Sequence, residues 1–468
     1  MSLKSFFAPK DMSVGAPWLR IAEFSIPMLI GNMAQQLYNT ADSIVVGKYV
    51  GDDALSAVGS ASPILNLLLA LLIGISTGAG ILVAQYFGAC DRKNLSKTIG
   101  NCITLAFIAS GIIMIIGPLL TKPLLTLLKT PDSIIGWCED YLNIYFWGIA
   151  GFFFYNILSG ILRGLGDSVS ALVYLLIATV LNIGLDIVFV KEMEVGGVAL
   201  ATVIAQGISA VFCLFKLMSM HDLFDLNKSC LKLDKTITMQ IIRLGIPSGI
   251  TQVIFSMAML VVQSLTNSFG NTIIAANVVV MRVDGFAMMP NFSFGQALTM
   301  FTGQNVGARK YDRIKKGAVQ GTVMAVSVSA FFLALILIFA DPLIHLFTET
   351  EELISISKTF ITILAIGYVA MGVTQSLSGV MRGAGDTMTP MWISLLTTVV
   401  IRVPIAYIIA HFTVSEALPN GNYLALPISL LTSWIAGMVI TTIAFVIGGW
   451  KKKLPKLDSD EAEVEAQA

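Results

Sequence analysis

Gln85-Tyr86-Phe87-Gly88-Ala89 returns as Gln304-Asn305-Val306-Gly307-Ala308, and Arg163-Gly164-Leu165-Gly166-Asp167-Ser168 returns as Arg382-Gly383-Ala384-Gly385-Asp386-Thr387. Both pairs are separated by 219 residues (85 to 304, 163 to 382). One offset shared by two unrelated motifs makes the chain two copies of a single unit of a little over 200 residues. The surrounding composition fixes the solvent. Hydrophobic residues are 56% of the 468 and charged residues 12%, about half the charged share of soluble domains. A mean hydropathy of +0.81 spread over the whole length describes a polytopic membrane protein.

Apolar stretches alternate with short polar breaks and read as twelve spans: 18–45, 54–86, 95–120, 134–160, 169–190, 197–219, 237–268, 272–305, 315–340, 353–380, 388–411 and 422–449. Tight turns such as Gly51-Asp52-Asp53 and Gly270-Asn271 join most of them. The expected division is a first lobe over 1–219, a linker over 220–236 carrying Lys228, Lys232 and Lys235, a second lobe over 237–450, and a tail over 451–468. The tail starts basic (Lys451 to Lys453) and turns acidic, a composition expected to be disordered. The first apolar stretch, from Trp18, is too long for a cleavable signal and reads as a retained span.

Lysine and arginine set the orientation. One alternate set of breaks holds Arg92, Lys93, Lys97, Arg163, the linker lysines, Arg309, Lys310, Arg313, Lys315, Lys316, Arg382 and Lys451 to Lys453; the other holds little beyond Lys48, Lys129 and Lys191. The rich side is expected to be cytoplasmic, with both termini on it. Six spans per repeat is an even number, so both halves point the same way and their pseudo-two-fold axis runs along the membrane normal. The fold expected is an all-α membrane protein of two six-helix lobes.

In the Arg-Gly-x-Gly-Asp turns, glycine permits the positive φ of a sharp reversal, Asp167 and Asp386 stand where they can cap the next helix, and Arg163 and Arg382 can snorkel to the headgroups. Gly88 and Gly307 read as helix C-caps, and Gly74, Gly78 and Gly80 as a close helix contact. Pro27, Pro247, Pro290 and Pro404 interrupt spans and predict bends.

Ionisable residues inside the spans are costly, about 2.5–3.5 kcal/mol each if central. Asp42 lies in span one and Asp186 in span five; Asn182, four residues before Asp186, shares its helix face. With a hydroxyl such as Thr202 in span six, this set suits a hard cation or a proton relay. The other reading is that both carboxylates are wetted near the outer surface. Arg282 and Asp284 in span eight, two apart, are expected to pair on opposite sides, and Arg402 sits in span eleven. Gln35, Tyr38, Phe154, Met257, Arg282 and Asp284 are candidate contacts for a bound small molecule. No GxxxxGK[ST] loop, HExxH motif, CxxC pair or Ser-His-Asp cluster is present, and the three histidines are scattered. Neither an enzyme nor a cofactor is expected, and nothing suggests nucleic acid.

Taken in order, Pro27, Asp42-Ser43-Ile44-Val45-Val46-Gly47, Ala54-Leu55-Ser56-Ala57-Val58-Gly59, Gln85 to Ala89, both Arg-Gly-x-Gly-Asp turns, Gly303 to Ala308, and Arg402-Val403-Pro404-Ile405-Ala406-Tyr407 resemble the multidrug and toxic compound extrusion (MATE) family along nearly the whole chain. The resemblance implies two six-helix lobes, alternating access, and export of drug-like, often cationic, compounds in exchange for inward protons or sodium ions by a monomer in the cell membrane. It also implies a cation site in the first lobe, matched here by Asp42, Asn182, Asp186 and Thr202; if the ion is sodium, Asp42, Asn182 and Asp186 would ligate it. Many members carry a glutamate after Arg-Ile in span eight, where this chain has Arg282-Val283-Asp284. The alternative from a related fold is a flippase for lipid-linked oligosaccharides.

Overall fold

The computed structural model describes residues 9–454 apart from 129, 346, 347 and 417, without the side chains of 38, 39, 41, 43, 44, 47, 52, 53 and 55. Tyr38 as a contact, Lys129 as an orientation marker and the acidic end of the tail therefore lie outside the described residues. The chain is a succession of helices: α1 (Pro17–Tyr49), α2 (Asp52–Gly88), α3 (Arg92–Leu127), α4 (Ile135–Trp147), α5 (Ile149–Gly164), α6 (Ser168–Met218), α7 (Lys235–Ser268), α8 (Asn271–Gly307), α9 (Tyr311–Ile338), the short α10 (Ala340–His345), α11 (Glu351–Gly383), α12 (Met388–Leu395), a π-helical stretch (Leu396–Arg402), α13 (Val403–Phe412) and α14 (Ala425–Ile447).

Among the described residues nine helical stretches are long and apolar enough to cross a membrane, and α4 with α5, bent by 52°, makes a tenth. The bend falls at Gly148, where a Cβ would overlap the Val203 side chain. α6 supplies two spans rather than one. Glu194 leaves the helical region (φ 51, ψ −126), and Asn182 then meets Thr202, twenty positions on, so the two halves of α6 run antiparallel. α1 completes twelve. It is long enough to span, and Asn32, Gln35, Gln36, Asn39 and Asp42 make it the most polar of them. The architecture is the expected one of two six-helix lobes.

The repeat is written in the backbone as well as in the residues. Positive φ occurs at Gly51 and Gly270, at Gly166 and Gly385, and at the non-glycines Cys90 and Arg309, each pair 219 apart. Asp167 caps α6 by accepting from the Ser170 N–H at 2.9 Å, and Asp386 caps α12 by accepting from the Thr389 N–H at 3.2 Å. The guanidinium-bearing Arg163 and Arg382 are half-buried rather than extended outward. The reading of Gly88 and Gly307 as C-caps is wrong. Neither has positive φ; each is the last residue of its helix, closed by Ala89 or Ala308 in ordinary right-handed geometry. Glycine is required there by space, because a Cβ on either would overlap a backbone carbonyl of the other repeat.

Packing does not respect the sequence boundary between the lobes. Ile21, Phe24 and Met28 of α1 share an apolar cluster with Phe294, Leu298 and Phe301 of α8 and Ile314 of α9. At the corresponding start of the second repeat, Ile237, Ile241 and Leu244 of α7 join Ile99, Leu158 and Leu162 of the first lobe. Each repeat thus lends the inner half of its first helix to the other repeat's core. Gly74 and Gly78 of α2 permit this, since Cβ atoms on either would overlap the α7 backbone at Gly245 and Gly249.

The connection between α6 and α7 is stapled to α3. Arg92 donates to Asp225 Oδ2 and Oδ1 at 2.8 and 2.9 Å and to the Asp222 and His221 carbonyls at 2.8 Å. Asn101 Oδ1 accepts the Asp234 N–H at 2.7 Å, and Gly100 leaves room for the Cys230 carbonyl. The Arg92 guanidinium holds the Asp225 carboxyl below the usual carboxylate range, so the attraction is complete above that range and is lost as pH falls through the lowered value. Replacing Arg92 with Ala is expected to make tryptic cleavage at Lys228 and Lys232 several-fold faster while α3 stays protected; unchanged cleavage rates would show that the linker is held by other contacts.

Candidate functional site

Asp42 stands seven residues before the end of α1, Asn182 and Asp186 on one face of the first half of α6, and Thr202 on its second half. The hairpin at Glu194 brings the last three together, and α1 packs alongside α6. Asn182 and Asp186 are fully buried, Thr202 nearly so, and Asp42 is partly buried. The wetted reading of Asp186 is thereby excluded.

The amide of Asn182 organises the cluster. Its orientation is assigned from its neighbours. With the nitrogen toward the carboxylates, it donates to Asp42 Oδ1 at 2.8 Å and Asp186 Oδ2 at 3.2 Å, while its oxygen accepts from the Thr202 N–H and hydroxyl, both at 3.3 Å. The Asp42 and Asp186 carboxyls also lie within hydrogen-bonding reach of each other. Tyr145 of α4 closes the cluster beside Thr202, its ring 5.0 Å from that of Tyr141. Around these polar atoms stand Val45, Leu65, Leu142, Phe146, Val190, Val198 and Ala199.

Two carboxylates so close in so apolar a shell cannot both stay charged unless a cation lies between them. The set can therefore exchange a proton or a hard cation. In the orientation described, Asn182 presents N–H groups to both acids, which suits a carboxylate pair sharing a proton. A sodium ion would take oxygen ligands, and the two carboxylates, the Thr202 hydroxyl and, with its amide turned, Asn182 could supply them.

The other candidates do not join this cluster. Asp284 in α8 accepts a short hydrogen bond from the Tyr368 hydroxyl of α11, and Tyr368 packs on Trp434 with centroids 5.5 Å apart. Arg282 is exposed on the opposite side of α8, as the two-residue spacing predicts. Arg402 ends the π-helical stretch ahead of Pro404, with its Nε buried and without a partner. Met257 on α7 is 60% exposed. Phe154 is partly buried against the first-lobe core. Gln35 is partly buried on α1, one turn from Asn32, which donates to Ser293 of α8 at 2.9 Å. Sequence reasoning missed Tyr145 and Tyr368. A tyrosine in an aromatic-rich span carries no mark that its hydroxyl faces an acid from another helix.

The family model described as MatE matches the chain twice, over residues 27–188 and 247–408. The probable multidrug resistance protein YoeA of Bacillus subtilis is 29% identical over 445 residues, covering 93% of this chain and 95% of that protein. The probable multidrug resistance protein NorM of Thermotoga maritima is 25% identical over 468 residues, covering 97% of each. A solved structure described as the outward-facing conformation of a multidrug resistance MATE family transporter of the MOP superfamily matches with a TM-score of 0.86 at 25% identity, covering 96% of this chain and 98% of that one.

A double-mutant cycle tests the bridging role of the amide. Asn182→Ala alone strips both buried acids of a donor and should cost about 1–3 kcal/mol, read as a lower apparent Tm in detergent. In an Asp42→Asn background the same change should cost distinctly less, because only one acid then remains to be bridged. Equal costs in the two backgrounds would mean that the amide does not join the two acids.

Proposed function

The chain belongs to the MatE family, and from that premise we propose that it is a secondary multidrug efflux antiporter of the cell membrane, exporting drug-like organic compounds in exchange for inward protons. The observation that carries the reading is Asn182 set between Asp42 and Asp186 with its N–H groups toward both. In one state a proton shared by the acids leaves the cluster with a single negative charge; in the other the proton leaves and the two charged acids separate or take a cation. Coupling follows only if the two states of the transporter differ in proton affinity. Asp42 on α1 and Asp186 on α6 belong to different helices, so a change in their repulsion acts on how those helices pack.

The relatives' names, multidrug resistance proteins, support a small organic cargo. Gln35, Arg282 and Asp284 lie on the helices α1 and α8, which pack together, and exposed Met257 offers an adaptable apolar surface; these, with Phe154, are the proposed cargo contacts. The Lys10 backbone at Gly166, and Trp450 in one cluster with Met12, place both described ends beside the basic loops, which supports cytoplasmic termini. The protein is proposed to work as a monomer, without a cofactor and without covalent chemistry.

Purified protein in lipid vesicles provides the test. A fluorescent organic cation is expected to move against an imposed pH gradient, and Asp42→Asn should abolish that movement while the protein still folds and inserts. Full transport driven by a sodium gradient alone would overturn the proton reading. Lipid scrambling without movement of the cation would overturn the antiporter reading in favour of a flippase.

A further inference from the structure

The repeated Gln-x-x-Gly-Ala and Arg-Gly-x-Gly-Asp motifs meet across the pseudo-two-fold axis. Gln85 of the first repeat donates through Nε2 to the carbonyl of Gly383, in the turn of the second, at 3.0 Å. Gln304 of the second donates through Nε2 to the carbonyl of Gly164, in the turn of the first, also at 3.0 Å. Between these bonds the ends of α2 and α8 touch backbone to backbone. A Cβ on Gly88 would overlap the Gln304 carbonyl, and one on Gly307 would overlap the Gln85 carbonyl. Gly303 meets Ala84, with a Cβ contact of 2.9 Å. Each contact has its mirror at the 219-residue offset, as a self-complementary two-fold interface requires.

One segment of chain lies on this seam, and the segments leading into α1 and α7 each dock on the other repeat. The segment before α1 docks on the second repeat. Met12 N–H donates to Gln304 Oε1 at 2.7 Å, and the Met12 carbonyl accepts from Asn305 and Arg313 at 3.2 and 3.1 Å. Trp18 N–H donates to Gln320 of α9 at 3.1 Å. The segment before α7 docks on the first repeat, through Asp234 N–H to Asn101 of α3. Gln320 and Asn101 are themselves 219 apart.

We propose that Gln85 and Gln304 are reciprocal latches that hold the basic-loop side of the protein shut, and that transport requires both to release together. The proposal rests on the alternating-access reading above, since an antiporter must open this side once per cycle. The chemistry suits a latch. A neutral amide on a neutral carbonyl is a modest bond once water competes for both partners, so it breaks without stranding a charge. Glycine contacts give close approach without interlocking side chains. Carbonyls and amides freed at a helix end beside the cytoplasm are met by water. Two such bonds in symmetric positions make opening a concerted event, because separating one pair of helix ends strains the other. The Met12 strap lies on one latch, tying its release to movement of the segment that leads into α1.

Spin labels on exposed Lys93→Cys and Asp312→Cys, a pair also related by the repeat, report the separation of the two sides when Cys90 and Cys230 are replaced by serine and the full chain is in lipid nanodiscs. The parent protein is expected to show mainly the short distance. Gln85→Ala/Gln304→Ala should raise the ratio of open to closed by about tenfold, the loss expected of two such bonds. Gly88→Ala, which removes no donor but inserts a Cβ against the Gln304 carbonyl, should shift the ratio the same way. A monodisperse size-exclusion peak confirms that each variant is folded. An unchanged distance distribution in the glutamine variant overturns the latch, whatever the glycine variant does. If the distances shift but the parent protein moves no organic cation, the latch stands and the antiporter reading falls; if the parent transports and the distances stay fixed, the reverse holds.

Discussion

Two helix ends meet here with no side chain between them, and much of the molecule is arranged around that meeting. α2 and α8 come together at Gly88 and Gly307 so closely that a methyl group on either would strike a carbonyl of the other. Such an approach demands glycine at the crossing, a turn that immediately leads the chain away, and polar partners for the exposed backbone. The first demand accounts for the repeated Gly-Ala. The second is met at Cys90 and Arg309, non-glycine residues held at φ 53 and 57, a conformation costing of order 1 kcal/mol each. Beside the crossing, the glutamines three residues before each glycine supply donors to the carbonyls of Gly383 and Gly164 in the adjoining turns. The exchanged packing of α1 and α7 goes with the same constraint: at the inner ends of the lobes each apolar cluster is built from both repeats.

The twelve spans were legible because a spanning helix has a length and composition that little else imitates. The turns were legible where glycine needs positive φ, as at Gly166 and Gly385, and where aspartate can cap. What escaped the sequence were contacts between distant segments. Gly88 was read as a cap because a glycine at a helix end usually is one; only its neighbour from the other repeat shows that the pressure is steric. The bend at Gly148 and the π-helical stretch before Pro404 have the same origin. Local sequence supplies a glycine or a proline, and Val203 in one case and the packing of α14 in the other decide what the backbone does with it. The linker, read from its three lysines as an interfacial loop, is fixed by Arg92 and Asn101, more than a hundred residues away.

At the acids the two repeats part company. Counting 219 from Asn182 and Asp186 gives Ile401 and Ile405, so the first-lobe cluster has no mirror. The second lobe carries different chemistry at different places: Asp284 with Tyr368, and Arg402 at the end of a π-helical stretch whose Nε has no partner. A buried guanidinium with an orphan donor is expensive. It stands at the end of seven residues of π geometry, Leu396–Arg402, a departure from regular helix often found at functional sites. Symmetry in this protein governs backbone and seam; the ionisable groups are free to differ because the part of each lobe away from the seam packs on itself.

α1 connects the two regimes. Near one end Asp42 faces Asn182 and Asp186 in the first lobe; eighteen residues earlier Phe24 lies among Phe294, Leu298 and Phe301 of the second. At 1.5 Å per residue these points are about 27 Å apart along one helix. A change of charge at Asp42 has little to act on at the α2–α8 seam through the field, since the groups that meet there are neutral amides, carbonyls and glycines. It can reach the seam mechanically. Repulsion between Asp42 and Asp186 pushes α1 away from α6, while the packing of Ile21, Phe24 and Met28 holds the inner half of α1 against the second lobe. The helix then bends or carries the second lobe with it. Pro27 lies within that inner anchor, fifteen residues before the acid, where an intrahelical hydrogen bond is missing by chemistry. Under the proposed coupling, what joins the asymmetric charge cluster to the symmetric seam is the stiffness of a single helix.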